Sequence, residues 1–201
     1  MSGKAYYAVK EGKKPGIYHD WETCKAQVDG YSGAEYKKFK TLKEAKIYLK
    51  DQQDLKSLAP DEETLIAYVD GSYNAISQVF AYGIVLIDHE GVEEYFKEGF
   101  SNPDFAVHRN VAGEVMGAVE AINLAISRGK KRIILHYDYE GIEKWALALW
   151  KANKKLTQRY QDFFQKAKQI IKVDFVKVLA HSGNKYNDMA DKLAKEAAGI
   201  S

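Results

Sequence analysis

Two short apolar runs each end in a carboxylate: Leu65-Ile66-Ala67-Tyr68-Val69 leads into Asp70, and Ile133-Ile134-Leu135-His136-Tyr137 leads into Asp138. Short runs rich in β-branched and aromatic residues read as buried strands. A carboxylate at the end of such a strand loses hydration and needs a compensating partner. Two more acids, Glu114 in NVAGEVMGAVEA and Asp191 in NDMADKLAKEAA, fall inside helix-like segments. Taken singly, each acid has a plain structural reading. Asp70 before Gly71-Ser72 could open a turn, Asp138 could cap the next helix, and Glu114 and Asp191 could be solvated helix charges. The element order strand, strand, strand, helix, strand, helix, helix, strand, helix has to place all four. A bound cation is one of the few partners able to serve four acids at once.

A ligand set made only of oxygens, with no cysteine and no paired histidine, suits a hard ion such as Mg2+ or Mn2+ better than zinc. Phosphodiester chemistry is then the leading reaction class. Two such ions roughly 3.5–4 Å apart can activate water on one side of a phosphate and stabilise the leaving oxygen on the other.

From about Leu65 to Ala198 the chain resembles a type 1 ribonuclease H. The likeness rests on the Asp70-Gly71-Ser72 turn, on Asn110 four residues before a helical Glu114, and on a strand ending at Asp138. It is completed by His181-Ser182-Gly183, with Asp191 ten residues after the histidine. The resemblance implies a mixed five-stranded α/β sheet flanked by helices and endonucleolytic hydrolysis of the RNA strand of an RNA/DNA hybrid. It also implies 3′-hydroxyl and 5′-phosphate ends and two Mg2+ ions per site, replaceable by Mn2+. On that pattern Asp70, Glu114, Asp138 and Asp191 hold metal, His181 assists proton transfer or product release, and Gly71, Ser72 and Asn110 contact substrate. Carboxylates this close repel one another, so at least one is expected to bind protons more tightly without metal. Trp145 is a candidate for packing where a second ribose hydroxyl would clash, although its place in Ile142-Glu143-Lys144-Trp145-Ala146-Leu147 is equally that of a core helix residue. The chain departs from the pattern with Tyr139-Glu140-Gly141 after Asp138, where a serine is common, and with Val111 where a second asparagine is common.

Residues 51–62, polar and containing Pro60, read as a linker between a module at 1–50 and a catalytic domain at 63–201. In the module, Tyr6-Tyr7-Ala8-Val9 predicts a strand, Gly12 to Gly16 a turn and Ile17-Tyr18 a second strand. Asp20 caps a helix with Trp21, Cys24 and Val28 on one face. Tyr36 to Phe39 follows, and Thr41 and Glu44 have capping-box spacing for a last helix. These residues resemble the hybrid-binding domain found at the N-terminus of many type 1 ribonucleases H and shared with a caulimovirus inclusion-body protein. The resemblance is carried by Tyr6 to Lys10, Gly12 to Ile17, Trp21, Cys24 to Val28 and Tyr36 to Phe39. It implies that Trp21, Tyr36, Lys37 and Lys38 hold the DNA strand of a hybrid.

Charge divides along the same line. Residues 1–50 carry eleven lysines against six acids, +5, and the remainder carries nineteen basic residues against twenty-two acids, −3. The small module is therefore the expected electrostatic anchor. With 46% hydrophobic and 29% charged residues the composition is that of an ordinary soluble protein. No apolar run approaches the ~20 residues of a spanning helix, and the N-terminus lacks the apolar core of a signal peptide. One cysteine, Cys24, permits no internal disulfide, so a reducing cytoplasm is the default expectation. A monomer without membrane contact or small-molecule cofactor is the simplest expectation.

Three other readings remain open on the sequence. The sheet order is shared with integrases and other nucleic-acid phosphoryl transferases. The catalytic half could be silent, leaving a hybrid-binding protein, or residues 5–49 could serve protein contacts.

Overall fold

The computed structural model describes residues 5–42, 45, 48–49, 60–178 and 184–200. The chain divides into two compact units, Met1–Ala59 and Pro60–Ser201.

In the first unit β1 (Tyr6–Glu11) is the central strand of an antiparallel sheet, flanked by β2 (Gly16–Tyr18) and β3 (Glu35–Phe39). Between β2 and β3 runs α1 (Trp21–Val28), started by Asp20, whose carboxylate accepts from the Thr23 amide at 2.8 Å. Val9, Cys24 and Val28 form the core, with Tyr7, Tyr18 and Ala34 packed against it. Trp21 begins the same helix face but stays 42% exposed. Leu42, Ala45, Tyr48 and Leu49 are helical, whereas Glu44 of the expected capping box and residues 51–59 of the expected linker lie outside the described residues.

The second unit holds β4 (Thr64–Asn74), β5 (Val79–Ile87), β6 (Glu93–Phe100), β7 (Arg132–Tyr137) and β8 (Lys172–Lys177), in the order β6-β5-β4-β7-β8. β4, β5 and β6 pair antiparallel, while β7 runs parallel to β4 and β8 parallel to β7. This is the mixed five-stranded sheet expected. Its helices are α2 (Pro103–Ala106), α3 (Asn110–Ser127), α4 (Gly141–Ala146), α5 (Lys155–Ala167) and α6 (Lys185–Ala197).

Strand alternation distributes the helices. Leu65, Ala67 and Val69 of β4 join the larger core with residues of α3, α4 and α5, and Tyr68 joins a smaller cluster with Val85, Ile87 and Ala190 of α6. Flanked on both faces, β4 presents Asp70 at the end of its buried stretch. Among the described residues no helix is long and apolar enough to cross a membrane.

Candidate active site

Asp70, Glu114 and Asp138 come together from β4, α3 and the end of β7, each offering an oxygen within 4.8 Å of the others. The approach of α3 depends on missing side chains. A Cβ on Gly71 would lie 2.7 Å from Glu114 Cγ and closer still to the Glu114 amide nitrogen. One on Gly113 would lie 2.8 Å from the Ala81 carbonyl carbon. Real Cβ atoms do not come this near, so these two glycines let the helix backbone rest on the strands and carry Glu114 to Asp70.

The three acids line a cleft of about 370 Å³ together with Gly71, Asn110, Tyr139, Asn187, Asp188 and Asp191. Asp191 shares this cleft but is not in the tight triplet, and its carboxylate accepts from Lys195 Nζ at 2.7 Å. Asn110 Nδ2 donates to Glu114 Oε1 at 3.2 Å. Glu114 Oε2 is buried with no hydrogen-bond partner. The expected Asp70-Gly71-Ser72 turn is instead continuous strand, paired with β5 through Ser72, and Ser72 is buried and does not line the cleft. His181 lies outside the described residues.

Burial acts first on these acids. It pushes the Glu114 carboxyl up to about 9, with Asp138 and then Asp70 adding repulsion. The Asp70 carboxyl rises to about 7, again through burial and then Asp138, against a 2.7 Å bond from the Gly71 amide. Both hold their protons well above the ordinary carboxyl range, which is the condition a divalent cation reverses. An all-oxygen donor set with one orphaned buried oxygen therefore fits a hard metal ion.

Asn187 and Asp188 were not singled out by the sequence reading. They stand four and three residues before Asp191 on α6, so helical phase alone puts them on its face. Asn187 is 3% exposed and its Oδ1 has no partner. Trp145 packs partly buried against the larger core, its ring 5.7 Å from Tyr139 and 5.9 Å from Trp150.

On the N-terminal unit, Trp21 and Tyr36 are both about two-fifths exposed, with ring centroids 5.7 Å apart, and Tyr7 lies 5.7 Å from Trp21 on the other side. Lys38 pairs in register with Tyr7 and holds its ammonium 5.6 Å over that ring. Lys37, one residue earlier on the strand, faces the opposite way and lies 6.0 Å over Phe39. Three rings and Lys38 thus share one face, and Lys37 belongs to the other.

A family model described as RNase H matches residues 62–199, and one described as the ribonuclease H1 N-terminal domain matches residues 5–49. The chain belongs to the ribonuclease H family. Human ribonuclease H1 is 24% identical over 255 residues, covering 96% of this chain and 89% of the human one. The ribonuclease H of Saccharomyces cerevisiae is 54% identical over 44 residues, 22% of this chain but only 13% of the yeast protein. Among solved structures, that of LC11-RNase H1 in complex with RNA/DNA hybrid has a TM-score of 0.53 at 14% identity. It covers 66% of this chain and 98% of that one, a likeness of fold. As a ribonuclease H the chain is a nuclease and hydrolase. Its departures from the usual ribonuclease H pattern have definite places: Tyr139 enters the cleft, Glu140 pairs with Lys177 at 2.8 Å, and Val111 packs against the core.

Proposed function

We propose that this ribonuclease H hydrolyses the RNA strand of RNA/DNA hybrids endonucleolytically, leaving 3′-hydroxyl and 5′-phosphate ends, at the cleft lined by Asp70, Glu114, Asp138 and Asp191. The observation that carries the reading is the triplet of carboxylates within 4.8 Å, two of them buried, with Glu114 Oε2 unpartnered. Membership of a metal-dependent family and a fold neighbour solved with a hybrid support it.

The four acids would hold the metal, which we take to be two Mg2+ ions, with Mn2+ able to replace them. When bound, the ions supply an activated water and charge stabilisation for the departing oxygen. The chain's own residues do the rest. Asn110 holds Glu114 Oε1 and leaves the buried, unpartnered Oε2 for a metal. Its remaining amide capacity and the Gly71 backbone along the cleft wall suit contact with a ribose 2′-hydroxyl, the group that distinguishes RNA. Lys195 holds Asp191 from the following turn of α6. We assign His181 to proton transfer or product release on the leaving-group side, a role suited to an imidazole, which can both give and take a proton.

Trp21, Tyr36 and Lys38 form a face on which sugars can pack and a phosphate can pair, which is the basis for assigning the DNA strand to it. Lys37 would serve a neighbouring phosphate from the other face. The segment 51–62 would act as a tether that raises the local concentration of hybrid, and the active species would be a monomer.

End analysis tests this reading. A hybrid with 5′-labelled RNA should give fragments that a ligase requiring a 3′-hydroxyl accepts, and Asp138→Asn or Glu114→Gln should abolish their formation. Fragments ending in a cyclic phosphate would contradict it.

A further inference from the structure

Tyr68 touches the element behind each of three cleft acids. It lies two residues before Asp70 on β4, and its ring is 9% exposed. One face stacks on His136 of β7, with centroids 4.1 Å apart and planes 13° from parallel. His136 is its register partner across the parallel pair and lies two residues before Asp138. Tyr186 of α6, five residues before Asp191, packs 5.2 Å away. The Tyr68 hydroxyl faces the Asn184 side chain.

Asn184 is the N-cap of α6. Its Oδ1 already accepts from the Tyr186 and Asn187 amides at 3.1 and 3.2 Å, which leaves its amide nitrogen as the group facing Tyr68. The hydroxyl therefore reaches the start of the helix whose next turns present Asn187, Asp188 and Asp191 to the cleft. A side chain two residues from another on a strand points to the same face, so the Tyr68–His136 stack lies directly behind the two strand-end acids. An aliphatic residue would fill the volume as well. Only an aromatic ring both stacks on His136 of β7 and meets Tyr186 in the first turn of α6.

We propose that Tyr68 is a positioning residue that fixes α6, and with it Asp191, relative to the strand-borne acids Asp70 and Asp138. The inference rests on the metal-dependent reading above. A partner that orients ligating groups changes metal affinity or turnover when removed, whereas a residue that only fills the core changes stability. Helix α6 packs on the sheet through small residues, Ala190 and Ala194, against Gly83, where a Cβ would lie 2.7 Å from the Ala194 nitrogen. The far end of the helix is held by Asn74 Nδ2, which donates to the Ala198 and Gly199 carbonyls at 3.1 and 3.2 Å, and Tyr68 acts at the opposite end.

The test uses the full chain with Tyr68→Leu and Tyr68→Phe. Tyr160→Phe serves as control, removing a buried hydroxyl that bonds the Ile142 carbonyl at 3.0 Å away from the cleft. Mn2+ alone is titrated by its paramagnetic resonance signal, and kcat and KM for hybrid and the melting temperature are measured beside it. Tyr68→Leu should weaken Mn2+ binding about tenfold and lower kcat by a similar factor with KM unchanged. Tyr68→Phe, which keeps the stack and loses the hydroxyl facing Asn184, should move both in the same direction by less. Tyr160→Phe should lower the melting temperature alone. Tyr68 variants that behave like Tyr160→Phe overturn the proposal, and if Tyr68→Leu does not fold, unchanged Mn2+ binding and kcat in Tyr68→Phe do so. A wild-type chain with no saturable Mn2+ binding overturns the metal reading beneath it as well.

Discussion

Glu114 and Asp70 are expensive residues for the metal-free protein. Both carboxyls are raised by burial, to about 9 and about 7, so folding shifts each toward its neutral form. A group whose proton affinity rises on folding contributes stability at pH values below its unfolded range, near 4, and loses it as pH climbs through the folded value. With chelator present, stability should therefore fall between about pH 4 and 9, and divalent ions should restore it at the alkaline end. Glu114→Gln removes the titrating group at nearly constant shape and should stabilise the metal-free protein at pH 8 by about 1–3 kcal/mol, with much less effect at pH 5. Thermal melts in chelator check this, and an equal effect at both pH values would count against buried charge as the cause. The four acids were legible in the sequence because Asp70 and Asp138 end apolar runs and Glu114 and Asp191 stand at fixed distances from Asn110 and His181. Asn187 and Asp188 were not, since a polar residue on a charged helix looks like solvated surface until the helix phase is tied to Asp191.

The elements read well from periodicity and their junctions did not. Alternating or continuous apolar runs gave β4 and β7, and Asp20 marked the start of α1. The close seating of α3 and α6 on the sheet depends on Gly71, Gly113 and Gly83, and a glycine in sequence announces a turn as readily as a backbone contact. Gly113→Ala should destabilise the larger unit by roughly 1–3 kcal/mol or more, because the colliding atoms are β5 backbone that cannot yield. It should also depress kcat through displacement of Glu114, and denaturant unfolding with steady-state kinetics would show both. A neutral Gly113→Ala would mean that α3 can shift without cost. Strand alternation likewise separates Lys38, beside the Trp21–Tyr36 pair, from Lys37, a distinction that the shared sequence motif hides.

Across the molecule, charge and chemistry are divided. The module at 1–50 carries +5, and the remainder carries −3, which two divalent ions would bring to +1. Removing residues 1–50 should weaken hybrid binding and flatten its salt dependence while leaving turnover at saturating hybrid largely intact. Equal loss of turnover at saturation would argue that the module takes part in chemistry. Trp21→Ala and Lys38→Ala in the full chain should reproduce part of the affinity loss, read by binding at several salt concentrations. The most direct measurement is cleavage of an end-labelled RNA/DNA hybrid beside matched RNA and DNA duplexes, with Mg2+, with chelator, and with Asp70→Asn. Cleavage confined to the RNA of the hybrid, and lost with chelator or the substitution, is the predicted result. Hybrid bound but left intact in both Mg2+ and Mn2+, or cleavage that survives Asp70→Asn, would contradict it.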